Sequence, residues 1–371
     1  MPNQWTSPYP PRQTARSLGL TTGILPTGAR NDICDVPGVR VGHATLVAGS
    51  GPLVPGQGPV RTGVTAILPH GGNLFAEKVP AGAFVLNGFG KSMGLPQLQE
   101  LGLLETPILL TNTLGAFRVA DAVVSYMVQQ NPEIGVTTGT VNPVVGECND
   151  GYLNDIQGRH VAAEHVLAAL AAASDGPVEQ GAVGAGTGTL CYGFKGGIGS
   201  SSRAVGDYVV GALVQANFGR RADLLIAGRA VGQQLVAYPG EEGPEPEAVP
   251  PGSIMIVLAT DAPLDARQLG RLCKRGALGL ARTGASAGNG SGDFVIGFST
   301  AYRVPHRTAT ETMTYTVLRD DGSVMDRLFL ATVEAVEEAV LNALFAARTV
   351  AGRDGHVGYA LPVQRTLSWI L

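Results

Sequence analysis

In Pro250-Pro251-Gly252-Ser253-Ile254-Met255-Ile256-Val257-Leu258-Ala259-Thr260-Asp261, a proline-rich stretch gives way within two residues to an uninterrupted apolar run. Upstream, Ala237 to Gly252 holds five Pro, four Glu and three Gly. Such a segment supports neither a ladder of backbone hydrogen bonds nor an apolar core face. Downstream, Ile254 to Ala259 has the length and composition of a strand buried on both faces. An exposed linker therefore passes into a buried element at Gly252-Ser253 without an intervening turn.

Similar apolar runs recur on either side, separated by Gly, Pro and Asn. Val39 to Val47, Val64 to Pro69, Ala83 to Asn87, Pro107 to Thr111, Gly135 to Thr138 and Tyr208 to Val214 read as strands before the junction. Phe294 to Thr300 and Met313 to Leu318 read as strands after it. Asp261-Ala262-Pro263-Leu264 reads as a helix start, with Asp261 as N-cap, Pro263 in the first turn and the helix running toward Arg282. Val161 to Ala173 is helix-like, and Arg327 to Arg348 reads as a long amphipathic helix. Helical layers and several strands together predict a layered α/β (α+β) sandwich, interwoven as a single domain over residues 1–371.

Composition narrows the function. With 44% hydrophobic residues the chain is globular, and 52 Gly with 24 Pro indicate many turns and close backbone approaches. A net charge of −4 without any Lys/Arg block gives no general attraction for nucleic acid or an anionic membrane, so neither partner is expected. Met1 to Arg16 is polar and Pro-rich, and the helix-like apolar stretches are interrupted by Glu or His; a cytoplasmic protein without a membrane segment is expected. The four cysteines, Cys34, Cys148, Cys191 and Cys273, form no C-x-x-C pair and read as buried free thiols. Neither Gly184 to Gly188 nor Gly288 to Gly292 completes G-x-G-x-x-G, and Gly90-Lys91-Ser92 has Val85 where a phosphate-binding loop needs Gly. No cofactor and no metal are expected.

Two serines are candidate nucleophiles. Gly90-Lys91-Ser92-Met93-Gly94 matches the G-x-S-x-G elbow, but Leu95 to Leu104 contains Pro96 and reads poorly as the helix an elbow needs, so a Gly-rich turn is preferred. No His partner follows from order, since His160, His165, His306 and His356 all lie downstream. Ser253 needs no His. Its hydroxyl can attack the Gly252 carbonyl and pass the acyl group from nitrogen to oxygen, releasing a chain that begins with Ser253. The amine so exposed, with a reference pKa of roughly 7.7–8.0, is then the base. Local sequence taken alone favours the plainer alternative, a serine that ends a linker and starts a strand. Glu147 is a candidate for binding a substrate ammonium, since it stands in an otherwise uncharged stretch from Thr137 to Cys148; a carboxylate capping backbone amides is the alternative. Asn217 is a candidate oxyanion donor at the end of an apolar strand, or a turn residue before Phe218-Gly219. Ser291-Gly292-Asp293 leads from a Gly-rich loop into a strand, where both side chains are candidates for reaching Ser253.

Separated motifs then bear on these choices together. Asp35-Val36-Pro37-Gly38-Val39-Arg40-Val41-Gly42-His43, Gly146-Glu147-Cys148-Asn149-Asp150-Gly151-Tyr152-Leu153-Asn154-Asp155, Gly193-Phe194-Lys195-Gly196-Gly197-Ile198-Gly199-Ser200-Ser201-Ser202-Arg203, Val214-Gln215-Ala216-Asn217-Phe218-Gly219 and the Gly252-Ser253 junction occur in that order. Their combination resembles the DmpA family of self-processing L-aminopeptidase/D-amidase/esterases, with β-peptidyl aminopeptidases as close relatives, over nearly the whole chain. The resemblance implies a four-layer αββα sandwich like that of the N-terminal nucleophile hydrolases but differently connected. It implies cleavage into an α chain, 1–252, and a β chain, 253–371, that stay together, commonly as a homotetramer of αβ units. Ser253 matches the family's nucleophile and Asn217 its oxyanion donor. Ser291 matches a Ser that orients the nucleophile with an acid two residues on; that acid is often Glu, whereas here Asp293 is one methylene shorter. The implied activity is removal of the first residue from small peptides, amino-acid amides and esters. An autoprocessed acyltransferase of the ornithine acetyltransferase type is a second possibility, although that group usually has Thr at the new terminus. A non-catalytic binding protein on the same fold is a third.

Overall fold

The computed structural model describes residues 13–237 and 252–370. All but the ends of the stretch read as a linker, and most of the polar start, lie outside the described residues. The longer strands are, in chain order, β1 (Arg40–Ala48), β2 (Val60–Leu68), β3 (Glu77–Gly88), β4 (Ile108–Asn112), β5 (Val144–Cys148), β6 (Gly197–Val205), β7 (Tyr208–Asn217), β8 (Ser253–Thr260) and β9 (Gly292–Ser299). The longer helices are α1 (Ala116–Gln130), α2 (Ala163–Ala171), α3 (Ala266–Arg282) and α4 (Ser323–Phe345).

The strands divide between two sheets. The smaller has the order β1-β2-β4-β5, antiparallel except for the β4/β5 pair. The larger runs β3-β9-β8-β7-β6, antiparallel except for β9/β8, with the two-residue strand Val304–Pro305 on the outer edge of β3. β8 is buried along its whole length and alternates between two cores. Met255 and Val257 meet Val41, Ile67 and Val144 of the smaller sheet. Ile254, Ile256 and Leu258 face Val336, Val340 and Leu344 of α4 and Leu280 of α3. On the far side of the smaller sheet, Val64, Leu109 and Val145 pack against Val119 and Val123 of α1 and Val166 and Leu170 of α2. The layers are thus helix, sheet, sheet, helix. A strand buried on both faces cannot alternate apolar with polar residues, which is why β8 reads as a continuous apolar run.

The structure corrects several sequence expectations. Gly135 to Thr138 is a turn: Gly135 has φ of 72° and Thr137 and Thr138 both donate back to the Glu133 carbonyl. Met313 to Leu318 is not a strand; Met313, Tyr315 and Val317 are exposed, so their alternation has no core to face. The helix after β8 begins four residues later than expected. Asp265, not Asp261, caps α3 through a reciprocal box, accepting from the Gln268 N–H at 2.7 Å while Gln268 accepts from the Asp265 N–H at 3.0 Å. Asp261 instead accepts the Val209 N–H, closing the end of the β7/β8 pair. α4 is not amphipathic in the expected sense, since every residue from Ala331 to Phe345 is buried. Its acids are enclosed with partners: Arg203 reaches both Glu334 (3.1 Å) and Glu338 (2.6 Å), and Arg16 joins Glu338 at 2.9 Å.

Candidate active site

Hydrogen-bond register across the larger sheet sets Asn217 of β7, Ser253 of β8 and Gly292 of β9 side by side at one end. Ser253 and Asn217 are both 5% exposed. The Gly292 N–H points at the junction itself, with the Ser253 Oγ and the Gly252 carbonyl oxygen each 3.3 Å away. One backbone donor thus faces both the Ser253 hydroxyl and the Gly252 carbonyl. The close packing explains the glycines. A Cβ on Gly292 would lie 3.0 Å from the Gly90 Cα and the Phe89 carbonyl, and one on Gly252 would lie 2.4 Å from the Phe218 Cα.

Asn217 is oriented by its neighbour. Its Oδ1 accepts the Leu190 N–H at 2.9 Å, and because a backbone N–H can only donate, the carboxamide's Nδ2 is left as the donor at the other end. Ser291 donates to Asp293 Oδ1 at 2.6 Å, while Asp293 Oδ2 is buried and has no hydrogen-bond partner among the described residues. Burial pushes the Asp293 carboxyl above the usual carboxylate range; the Ser291 hydroxyl and the Ile254 backbone N–H oppose the shift. Ser291 and Asp293 adjoin Ser253 through the β8/β9 register, yet neither hydrogen-bonds to it among the described residues.

Glu147 comes from the other sheet. It lies in β5 beside Cys148, whose Sγ contacts the Ser253 and Gln215 carbonyls at 3.5 and 3.4 Å and so fastens β5 to β7 and β8. The Glu147 carboxylate is 2% exposed, accepts the Lys91 N–H at 2.8 Å on Oε1 and the Thr113 hydroxyl on Oε2. Among the described residues it has no ion-pair partner. A buried carboxylate lacking a cation is an unusual arrangement and a ready receptor for one.

The G-x-S-x-G segment has a different place from that of a nucleophile elbow. Ser92 Oγ rests on Met255 Sδ at 3.4 Å, Gly94 takes φ of 86° before the short helix Leu95–Leu101, and the segment delivers the Lys91 N–H to Glu147. It is the Gly-rich turn. Lys91 N–H, Thr113 and the Gly292 N–H are site contributors that sequence reasoning missed; two are backbone amides, which carry no side-chain signal. The four cysteines are free and buried, as read. Among the described residues no group of three or more His, Cys, Asp or Glu is arranged to hold a metal ion, and no helix is long and apolar enough to cross a membrane.

A hydroxyl, two N–H donors and a buried carboxylate form an arrangement suited to acyl transfer next to a cationic group. Known proteins resemble this chain over nearly its whole length. Residues 31–358 match peptidase family S58. The beta-peptidyl aminopeptidase BapA of Sphingosinicella microcystinivorans is 42% identical over 361 residues, spanning 94% of this chain and 89% of that one. A crystal structure of a protein from Pyrococcus horikoshii OT3 superimposes with a TM-score of 0.90 at 54% identity, covering 96% of this chain and 99% of that one. The L-aminopeptidase D-Ala-esterase/amidase of Ochrobactrum anthropi, described as a prototype for the serine aminopeptidases and a new variant among the Ntn hydrolase fold, gives 0.87 at 39% identity, covering 97% and 99%.

Proposed function

The chain belongs to peptidase family S58 and is an aminopeptidase-type hydrolase, and from that premise we propose that it is a self-processing N-terminal-serine aminopeptidase. The observation that carries the proposal is the alignment of Asn217, Ser253 and Gly292 on adjacent strand ends, with the uncompensated Glu147 carboxylate held beside them. In maturation, Ser253 Oγ adds to the Gly252 carbonyl, whose oxygen already faces the Gly292 N–H. The C–N bond breaks, the acyl group passes to oxygen, and water then releases residues 1–252 from an ester that ends at Gly252. The α and β chains remain interwoven, since β7 and β8 pair across the cut.

In turnover, the free α-amine takes the Ser253 hydroxyl proton as Oγ adds to the substrate carbonyl. Negative charge gathers on the carbonyl oxygen, where the Asn217 Nδ2 donates to it. The protonated amine then gives its proton to the departing amine or alcohol, and water removes the acyl group by the same path. Glu147 holds the substrate's ammonium, favouring cleavage of the bond next to a free amine. Asp293 acts through Ser291, compensating for its shorter reach. Small peptides, amino-acid amides and esters are the substrates, and the working form is a cytoplasmic homotetramer of αβ units. The test is a panel of L-, D- and β-aminoacyl nitroanilides with and without an amine acceptor. Release of nitroaniline in water alone supports hydrolysis; release that requires the acceptor identifies an acyltransferase instead.

A further inference from the structure

Lys195 is fully buried and takes no part in the chemistry above. It sits opposite Leu190 in a hairpin formed by Leu190–Cys191 and Phe194–Lys195, whose turn residues Tyr192 and Gly193 both have positive φ, 51° and 69°. Its Nζ donates to three backbone carbonyls, Gly186 at 2.8 Å, Thr189 at 2.7 Å and Gly196 at 2.7 Å. Three acceptors need three N–H donors, which only the ammonium supplies. Burial pushes Lys195 down to about 7, with Cys191 and Asp150 opposing the shift, but the three carbonyls hold the proton in place.

One of those carbonyls matters beyond packing. The Thr189 carbonyl belongs to the same peptide unit as the Leu190 N–H, and that N–H is the group that fixes Asn217 Oδ1. The ammonium, the Thr189–Leu190 peptide and the Asn217 carboxamide therefore form one chain of hydrogen bonds with every dipole in the same sense. A cation on the first carbonyl strengthens the Leu190 N–H as a donor, which in turn strengthens Asn217 Nδ2 as a donor, and in a buried setting such chains reinforce one another.

We propose that Lys195 is a positioning residue for the reaction, orienting and polarising the Asn217 carboxamide through the Thr189–Leu190 peptide. This rests on the role proposed for Asn217 as oxyanion donor. The test uses the processed enzyme and Lys195→Gln, measured with an aminoacyl nitroanilide, an aminoalkyl boronic acid and the parent amino acid. The boronic acid adds to a serine hydroxyl as a tetrahedral anion, whereas the amino acid occupies the site without an oxyanion. Lys195→Gln is expected to lower kcat about 10-fold, the scale of coupling between networked groups, with KM within about 2-fold. Boronate affinity should fall in parallel and amino-acid affinity should hold.

Equal weakening of both ligands, or unchanged kcat, overturns the proposal. Asn217→Ala separates the two levels. If it leaves maturation and kcat intact, the oxyanion assignment fails; if it impairs either while Lys195→Gln behaves as wild type, only the role of Lys195 fails. Should Lys195→Gln not fold, Lys195→Arg, which keeps the cation in altered geometry, is read by the same criteria. Failure of both to fold, with Asn217→Ala folding normally, would leave Lys195 as scaffold alone and overturn the proposal.

Discussion

Replacing Glu147 by Gln removes one charge with almost no change of shape. Gln can still accept the Lys91 N–H, now 2.8 Å from Oε1, and its amide can donate to the Thr113 hydroxyl oxygen, so the local hydrogen bonds have replacements. Glu147 has no ion pair among the described residues, so the substitution strips no protein cation of its partner. On the role proposed for Glu147, what it removes is the attraction for the substrate's ammonium. A hydrogen bond to a charged group is worth about 1.5–3 kcal/mol, which corresponds to roughly 10- to 100-fold in kcat/KM. The assay pairs an aminoacyl nitroanilide with an ester of matched side chain that lacks the amine, on wild type and variant. The account predicts a fall in that range for the first and little change for the second. An equal fall for both substrates, with thermal stability unchanged, would remove Glu147 from ammonium recognition.

Ser253→Ala should remain a single full-length chain without aminopeptidase activity, as denaturing electrophoresis and nitroaniline release will show; normal turnover by that variant would eliminate the nucleophile. Asn217→Ala should lower kcat by about 10²–10³, the usual cost of losing an oxyanion donor, while KM stays close to that of wild type. Burial pushes the Asp150 carboxyl up to about 7. The native state therefore holds a proton that the unfolded chain gives up, and stability present at low pH is lost as pH rises from the ordinary carboxylate range through 7. Asp150→Asn should flatten that dependence and gain up to about 4 kcal/mol at pH 8 relative to pH 4, measured by urea denaturation; an unchanged slope would refute it. A Cβ on Gly199 would lie 1.9 Å from the Ala339 carbonyl of α4. Gly199→Ala should thus destabilise by about 3 kcal/mol, and a urea midpoint equal to wild type would show that α4 can shift to make room.

The parts of the fold most legible in the sequence are the strands buried on both faces. β4, β7 and β8 are recognisable because each carries an unbroken apolar run, Ile108 to Leu110, Val209 to Val214 and Ile254 to Ala259. β6 is not, because what it needs is closeness rather than hydrophobicity. Gly199 lets α4 approach, Ser200 and Ser201 spend their hydroxyls on the Ala212 and Ala335 carbonyls, and Arg203 anchors the buried acids of α4. β5 is hidden by Glu147, since a carboxylate in mid-strand looks like a loop. At the site, Ser253 stood out through the abrupt change at Gly252, and Asn217, Ser291 and Asp293 gained weight through family resemblance. Thr113, the Lys91 and Gly292 N–H groups, and Lys195 were not legible. Thr113 and the two N–H groups act on partners far away in the chain, two of them only through the backbone, and Lys195 reaches Asn217 only by way of the Thr189–Leu190 peptide.

Intact mass and N-terminal sequencing of the purified wild-type protein test the central claim most directly. The account predicts two chains in equal amounts, residues 1–252 and 253–371, the smaller beginning Ser-Ile-Met-Ile with a free amine. An active, undivided chain of 371 residues, or a smaller chain that begins at any residue other than Ser253, would contradict it.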